Sequence, residues 1–177
     1  DSNKWQYEVR NQWYNNEKQA TTDRLDNVKV ENGVLKITAK KESYGGKEYT
    51  SGRIRTFNKL DFTYGRVDIR AKMPSKGGTW PALWMLGENF SSTGWPRCGE
   101  IDIMEMIGGN GWNDRTVHGT VHWEDNGHAL YGGHNTLTSG RFADEFHVFS
   151  IIWTPSSIKW LRDCLLYTSP SPRDETK

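Results

Sequence analysis

The chain has 177 residues, with 23 Lys and Arg against 22 Asp and Glu, a balance that supplies no electrostatic reason to expect a nucleic acid or an anionic membrane as partner. The length suits one domain, no apolar run reaches the length of a membrane span, and Cys98 and Cys164 share neither context nor metal-ligand spacing. Nine Trp and seven Tyr point instead to flat apolar ligand surfaces, such as the CH faces of sugar rings.

The first residue is Asp rather than Met, so a leader is expected to precede it. From there the chain alternates with the period of a strand. In Gly33 to Lys40, "GVLKITAK", Leu35, Ile37 and Ala39 share one face. In Gly65 to Met73, "GRVDIRAKM", Val67, Ile69, Ala71 and Met73 oppose Arg66, Asp68, Arg70 and Lys72. Both read as half-buried antiparallel strands. In Gly78 to Leu86, "GTWPALWML", Trp80, Ala82 and Trp84 line one surface while Leu83 and Met85 supply the core from the other.

Trp95 to Gly109, "WPRCGEIDIMEMIGG", places Glu100, Asp102 and Glu105 among Ile and Met. Glu100 and Asp102 share a face by alternation, but the odd offset of Glu105 sends it toward the core. A one-residue bulge at about Ile103 or Met104 restores Glu105 to the face of the other two and turns every apolar side chain inward. Three carboxylates on one face repel, and at least one must hold its proton more tightly. Such a split is what a retaining glycosidase uses, with one carboxylate as nucleophile and a second carboxyl as acid.

Thr116 to Trp123, "TVHGTVHW", pairs His118 and His122 with Thr120 on one face, where a His can donate to a carboxylate or a sugar hydroxyl. Phe146 to Trp153, "FHVFSIIW", continues the strand pattern, and the segments between are rich in Gly, Asn, Asp and Ser, which suits turns. The end, Cys164 to Lys177, "CLLYTSPSPRDETK", breaks it. Many short strands and no helical period predict an all-β sandwich of two antiparallel sheets.

"WPRCGEIDIMEMIG", "GTWPALWML", "YGRVDIRAKMP" and "VHGTVHW" together closely resemble glycoside hydrolase family 16, in its laminarinase-like endo-β-1,3-glucanase branch, over nearly all of Trp5 to Asp163. The resemblance implies a β-jelly-roll with a concave substrate cleft, Ile69, Val121 and Ile152 on its inner face, and retaining cleavage inside polysaccharide chains. It implies Glu100 as nucleophile, Asp102 as supporting carboxylate and Glu105 as acid/base. Trp80, Trp84 and Trp95 fall on sugar-stacking positions and His122 on a cleft histidine. Asn16 and Glu17 of "NNEKQ", with Arg53, fall on positions that hydrogen-bond sugars on the non-reducing side.

Two departures qualify it. After "IKWLRD" the family continues with a Gly turn and further strands, whereas "CLLYTSPSPRDETK" resembles translated sequencing-adapter read-through. The family's first strand is also lacking. The expectation is a partial catalytic domain over residues 1–163, incomplete at both ends, and a disordered or artefactual non-domain tail over 164–177. A structural calcium site carried by many members then loses most of its ligands, leaving Gly33. No catalytic cofactor is implied; the expected protein is a secreted monomer, extracellular or periplasmic, acting on a polysaccharide. Mixed-linkage β-glucan and a marine galactan (agar or carrageenan) are the alternative substrates. A non-catalytic β-glucan-binding protein on the same fold is the alternative class, and should lack one or both glutamates.

Overall fold

Strands joined by tight turns make up nearly all the regular structure of the computed structural model, which describes residues 1–108 and 113–167. Among the described residues the one α-helix is a single turn, Phe90–Thr93. The chain divides into two units, Asp1–Phe62 and Thr63–Lys177.

The first unit holds β1 (Gln6–Tyr7), β2 (Gln19–Thr21), β3 (Val28–Glu31), β4 (Val34–Ile37), β5 (Lys40–Tyr44), β6 (Lys47–Ser51) and β7 (Ile54–Arg55). Its sheets run β2-β6-β5, β1-β7 and β3-β4. β2 lies parallel to β6, a departure from the antiparallel expectation. Asn32 and Gly33, with φ of 53° and 75°, form the two-residue turn between β3 and β4, and Asn-Gly is the pair that tolerates positive φ at both places. The unit's centre is polar: the fully buried Asn27 side chain accepts from Thr22 Oγ1 at 2.6 Å and donates to Thr50 Oγ1 at 2.9 Å. The predicted strand over Gly33 to Lys40 is shorter than its alternation implied. β4 ends at Ile37, and Leu35 and Ile37 are 46% and 49% exposed. Among the described residues the β3-β4 pair hydrogen-bonds to no third strand, and alternation alone cannot say whether a face acquires a covering layer.

The second unit holds β8 (Gly65–Ala71), β9 (Ala82–Leu86), β10 (Glu100–Glu105), β11 (Thr116–Glu124), β12 (His128–Thr136), β13 (His147–Trp153), β14 (Ile158–Arg162) and β15 (Leu165–Leu166). They form two four-stranded antiparallel sheets, β12-β11-β10-β9 and β15-β14-β13-β8. One apolar cluster draws on both, with Ile103, Met104 and Val117 from the first and Phe149, Ile151 and Trp160 from the second. Val67, Ile69 and Ala71 pack against it, as their alternation predicts. Val121 does too, whereas Ile152, expected on the inner face, lies between the core residues Ile151 and Trp153 and so points the other way.

Trp160 ties the two layers together. Its indole N–H donates to the main-chain carbonyl of Asp102 at 2.7 Å, and the ring lies flat against Gly119. A Cβ at Gly119 would fall 2.2 Å from Trp160 Cδ1, so no other residue fits beneath that ring. The β14-β15 hairpin carries the sheet past Asp163, with Leu165 paired to Arg162 and Leu166 to Leu161. The rest of the predicted tail, residues 168–177, lies outside the described residues.

Candidate active site

Register sets the geometry. Between β10 and β11, Asp102 faces Thr120 and Glu105 faces His118, so three steps on one strand match two on the other. Against β9, Asp102 faces Trp84 while Met104 already faces Leu83. The extra residue sits at Ile103 and Met104, where the spacing predicted it. Ile103 and Met104 are 2% and 0% exposed, so two successive side chains enter the core and Glu105 returns to the face of Glu100 and Asp102.

Three rows therefore cross the sheet on that face. They read Leu86, Glu100, His122, Leu130; then Trp84, Asp102, Thr120, Gly132; then Ala82, Glu105, His118, His134. Two indoles close on the outer carboxylates: Trp95 Nε1 donates to Glu100 Oε2 at 2.6 Å, and Trp80 Nε1 donates to Glu105 Oε1 at 2.9 Å. Both rings stay about half exposed, at 47% and 52%, which leaves apolar surface for a sugar.

Asp102 is the buried member, 2% exposed. Burial, then the charges of Glu105 and Glu100, push its pKa up to about 8, and a hydrogen bond with Glu100 acts in the same direction. At neutral pH it is a carboxylic acid that can donate to Glu100. His122 Nε2 lies 3.1 Å from Asp102 Oδ2, and His122 Nδ1 lies 2.8 Å from His128 Nε2. Burial, with the His128 ring adding to it, holds His122 below its ordinary pKa and so neutral, although Glu100 pulls the other way. One set of protons satisfies the chain: His128 donates to His122, His122 to Asp102, and Asp102 to Glu100. Glu105 is raised by burial and by the Glu100 charge, against the opposing Trp80 hydrogen bond.

The native state thus binds the Asp102 proton more tightly than the unfolded chain, whose value is near 3.8. The stability this supplies is complete below that value and is lost as pH rises toward 8. Asp102→Asn keeps a donor for Glu100 and an acceptor for His122 without the titration. Its melting temperature should fall less than the parent's between pH 5 and pH 8, by about 4 °C or more. Equal falls in a calorimetric scan would show that Asp102 is ionised throughout.

The structure brings together Glu100, Asp102, Glu105, Trp80, Trp84, Trp95 and His122. Asn16, Glu17 and Arg53 belong to the first unit. There Arg53 pairs with Glu8 at 3.2 Å and lies over the Trp13 ring, Glu17 accepts from Gln19, and Asn16 has φ of 59° in a tight turn. His128, packed 4.5 Å from the Trp95 ring, is the member that sequence reading missed. It follows a turn-like "EDNG", and nothing there marks the strand it begins. Among the described residues no three His, Cys, Asp or Glu side chains gather as metal donors.

Comparison with known proteins agrees with this geometry. A beta-glucanase of Rhodothermus marinus is 45% identical over 98% of the chain, which spans 62% of the length of that relative. The X-ray structure of the laminarinase from Rhodothermus marinus superposes with a TM-score of 0.87 at 43% identity, over 100% of this chain and 71% of its own. The catalytic domain of an endo-1,3-beta-glucanase (laminarinase) from Thermotoga petrophila RKU-1 does so with a TM-score of 0.85 at 40% identity, over 98% of this chain and 73% of its own. The fold is therefore the all-β jelly-roll of these enzymes. With the model for glycosyl hydrolases family 16 matched over residues 15–174, the chain belongs to that family.

Proposed function

We propose that the chain hydrolyses internal β-1,3 linkages of a laminarin-type glucan with retention of configuration. The observation that carries this reading is the bulged strand β10, which sets Glu100, Asp102 and Glu105 on one face between two half-exposed indoles. Family 16 hydrolysis needs no cofactor, and its substrate is a polysaccharide.

Glu100, which accepts the Trp95 indole N–H, attacks the anomeric carbon. Glu105 gives its proton to the departing oxygen, leaving a glycosyl ester on Glu100. Ester formation removes the Glu100 charge, one of the groups that raise Glu105, so the Glu105 carboxylate becomes stable and serves as base. It takes a proton from water, the water oxygen bonds to the anomeric carbon, and the ester bond breaks. Asn16, Glu17 and Arg53 hydrogen-bond sugars on the non-reducing side. The activities of the Rhodothermus and Thermotoga proteins support β-glucan over galactan. A polymeric substrate and the family resemblance support a monomer that acts outside the cell.

The test is hydrolysis of laminarin, lichenan, agarose and carrageenan, with the first-formed anomer read by NMR. Laminarin should be cut about tenfold faster than either galactan, and the β anomer should appear first. No cleavage of laminarin, or an α product, would overturn the proposal.

A further inference from the structure

At one point the two sheets of the second unit meet through more than apolar contact. Trp160, on β14, donates its indole N–H to the main-chain carbonyl of Asp102, on β10, at 2.7 Å. A strand carbonyl ordinarily bonds within its own sheet. This one takes a donor from the opposite layer, and it stands where β10 breaks register: after Asp102 the pairing shifts against both β11 and β9. A bulge disrupts the ladder locally and leaves its extra residue unpaired, so backbone groups beside it depend on partners from elsewhere.

The sequence makes room for this contact. On the core side of β11, alternation places Gly119 between Val117 and Val121, and a Cβ there would lie 2.2 Å from Trp160 Cδ1 and 2.5 Å from Trp160 Nε1. Only bare backbone lets the ring cross to β10. Thr120, the next residue, faces Asp102 directly. The indole is 1% exposed, so water has no ready path to take the place of its N–H. Trp160 packs in the core cluster with Ile103 and Met104, whereas Glu100, Asp102 and Glu105 project from the other side of β10, so the ring meets neither sugar nor reacting atoms.

We propose that Trp160 is a positioning residue for the hydrolysis, its N–H holding the Asp102 carbonyl and so fixing the bulge at Ile103 and Met104. This rests on the hydrolase reading above. A bulge one residue earlier turns Ile103 outward beside Asp102, and one residue later turns Met104 outward beside Glu105. Both keep the acids on one side of the strand but aim them differently. A displacement of ~1 Å at reacting groups is enough to cost about 10²-fold in rate.

The experiment uses the full chain and three variants. Trp160→Phe keeps an apolar ring and loses the donor. Site-specific 3-benzothienylalanine at position 160 keeps the shape of indole with sulfur in place of N–H, and covers the case in which phenylalanine leaves the core unfolded. Phe149→Leu loosens the same core from β13 without removing a hydrogen bond. In both position-160 variants kcat on laminarin should fall about tenfold or more while KM stays within about twofold. Phe149→Leu should lower the melting temperature yet hold kcat within about twofold. NMR of the labelled Asp102 carboxyl supplies a readout that needs no turnover. Burial is the first cause of its titration at about 8, so the midpoint should fall when the N–H is lost and hold in Phe149→Leu. Parent-like kcat and titration in the benzothienylalanine variant would overturn the positioning role. An equal loss of kcat in Phe149→Leu would assign the effect to a loosened core and overturn it too, as would a raised KM at unchanged kcat. A parent chain that cuts no laminarin overturns the hydrolase reading, and an unchanged Asp102 titration then removes the positioning role separately.

Discussion

Glu100→Ser should lower kcat on laminarin by about three orders of magnitude or more while leaving substrate affinity within about threefold. The serine cannot form the carboxylic ester, so the first chemical step loses its nucleophile. The half-exposed Trp80 and Trp95 rings, to which the proposed function gives the stacking, remain. Binding and chemistry should therefore separate: an interaction made with ground state and transition state alike survives, and one made only in the transition state does not. Isothermal titration with laminaritetraose beside steady-state kinetics reads both quantities. Activity within about tenfold of the parent would remove Glu100 from the nucleophile's role.

Glu105→Ala should show the complementary pattern. On laminarin the leaving alkoxide needs a proton, and kcat should fall about 10²- to 10⁴-fold. On an activated aryl glycoside the leaving group needs little help, so the glycosyl ester still forms. It then accumulates, because no base remains to activate water. Azide needs no base and attacks the ester from the face opposite Glu100, giving a β-glycosyl azide and restoring turnover. Recovery of the α-glycosyl azide would mean that the residue or the stereochemistry is misassigned.

How much of this was legible in the sequence depended on whether a side chain's role was local. The carboxylate strand was legible to the residue, because an odd offset between Asp102 and Glu105 amid buried Ile and Met admits few solutions other than a bulge at Ile103 and Met104. The alternation of Gly65 to Met73 also carried through to packing. That of Gly33 to Lys40 did not, since periodicity reports two faces and not which one acquires a neighbour. Strand β12 was invisible: "HALYGGHNT" alternates, but its carboxylate face carries His, Leu, Gly, His and Thr, and its glycine pair reads as a turn. His128 went unseen with it. The hydrogen bond from Trp160 to the Asp102 carbonyl joins residues 58 positions apart, a relation no local pattern contains.

The bulge in β10 also bears on how such a strand can change over generations. Delete Met104 and the residues read Glu-Ile-Asp-Ile-Glu, in which plain alternation already sets all three acids on one side. Gain or loss of one codon at this point therefore leaves every acid on its own side, although a single-residue slip elsewhere in a strand would turn all that follows inside out. What the codon alters is filling: the bulge absorbs the extra residue, so Glu105 still faces His118, two places from Thr120, and one more apolar side chain sinks into the interior. Lineages sharing this strand can thus explore two lengths without passing through an ancestor whose acids face the wrong way.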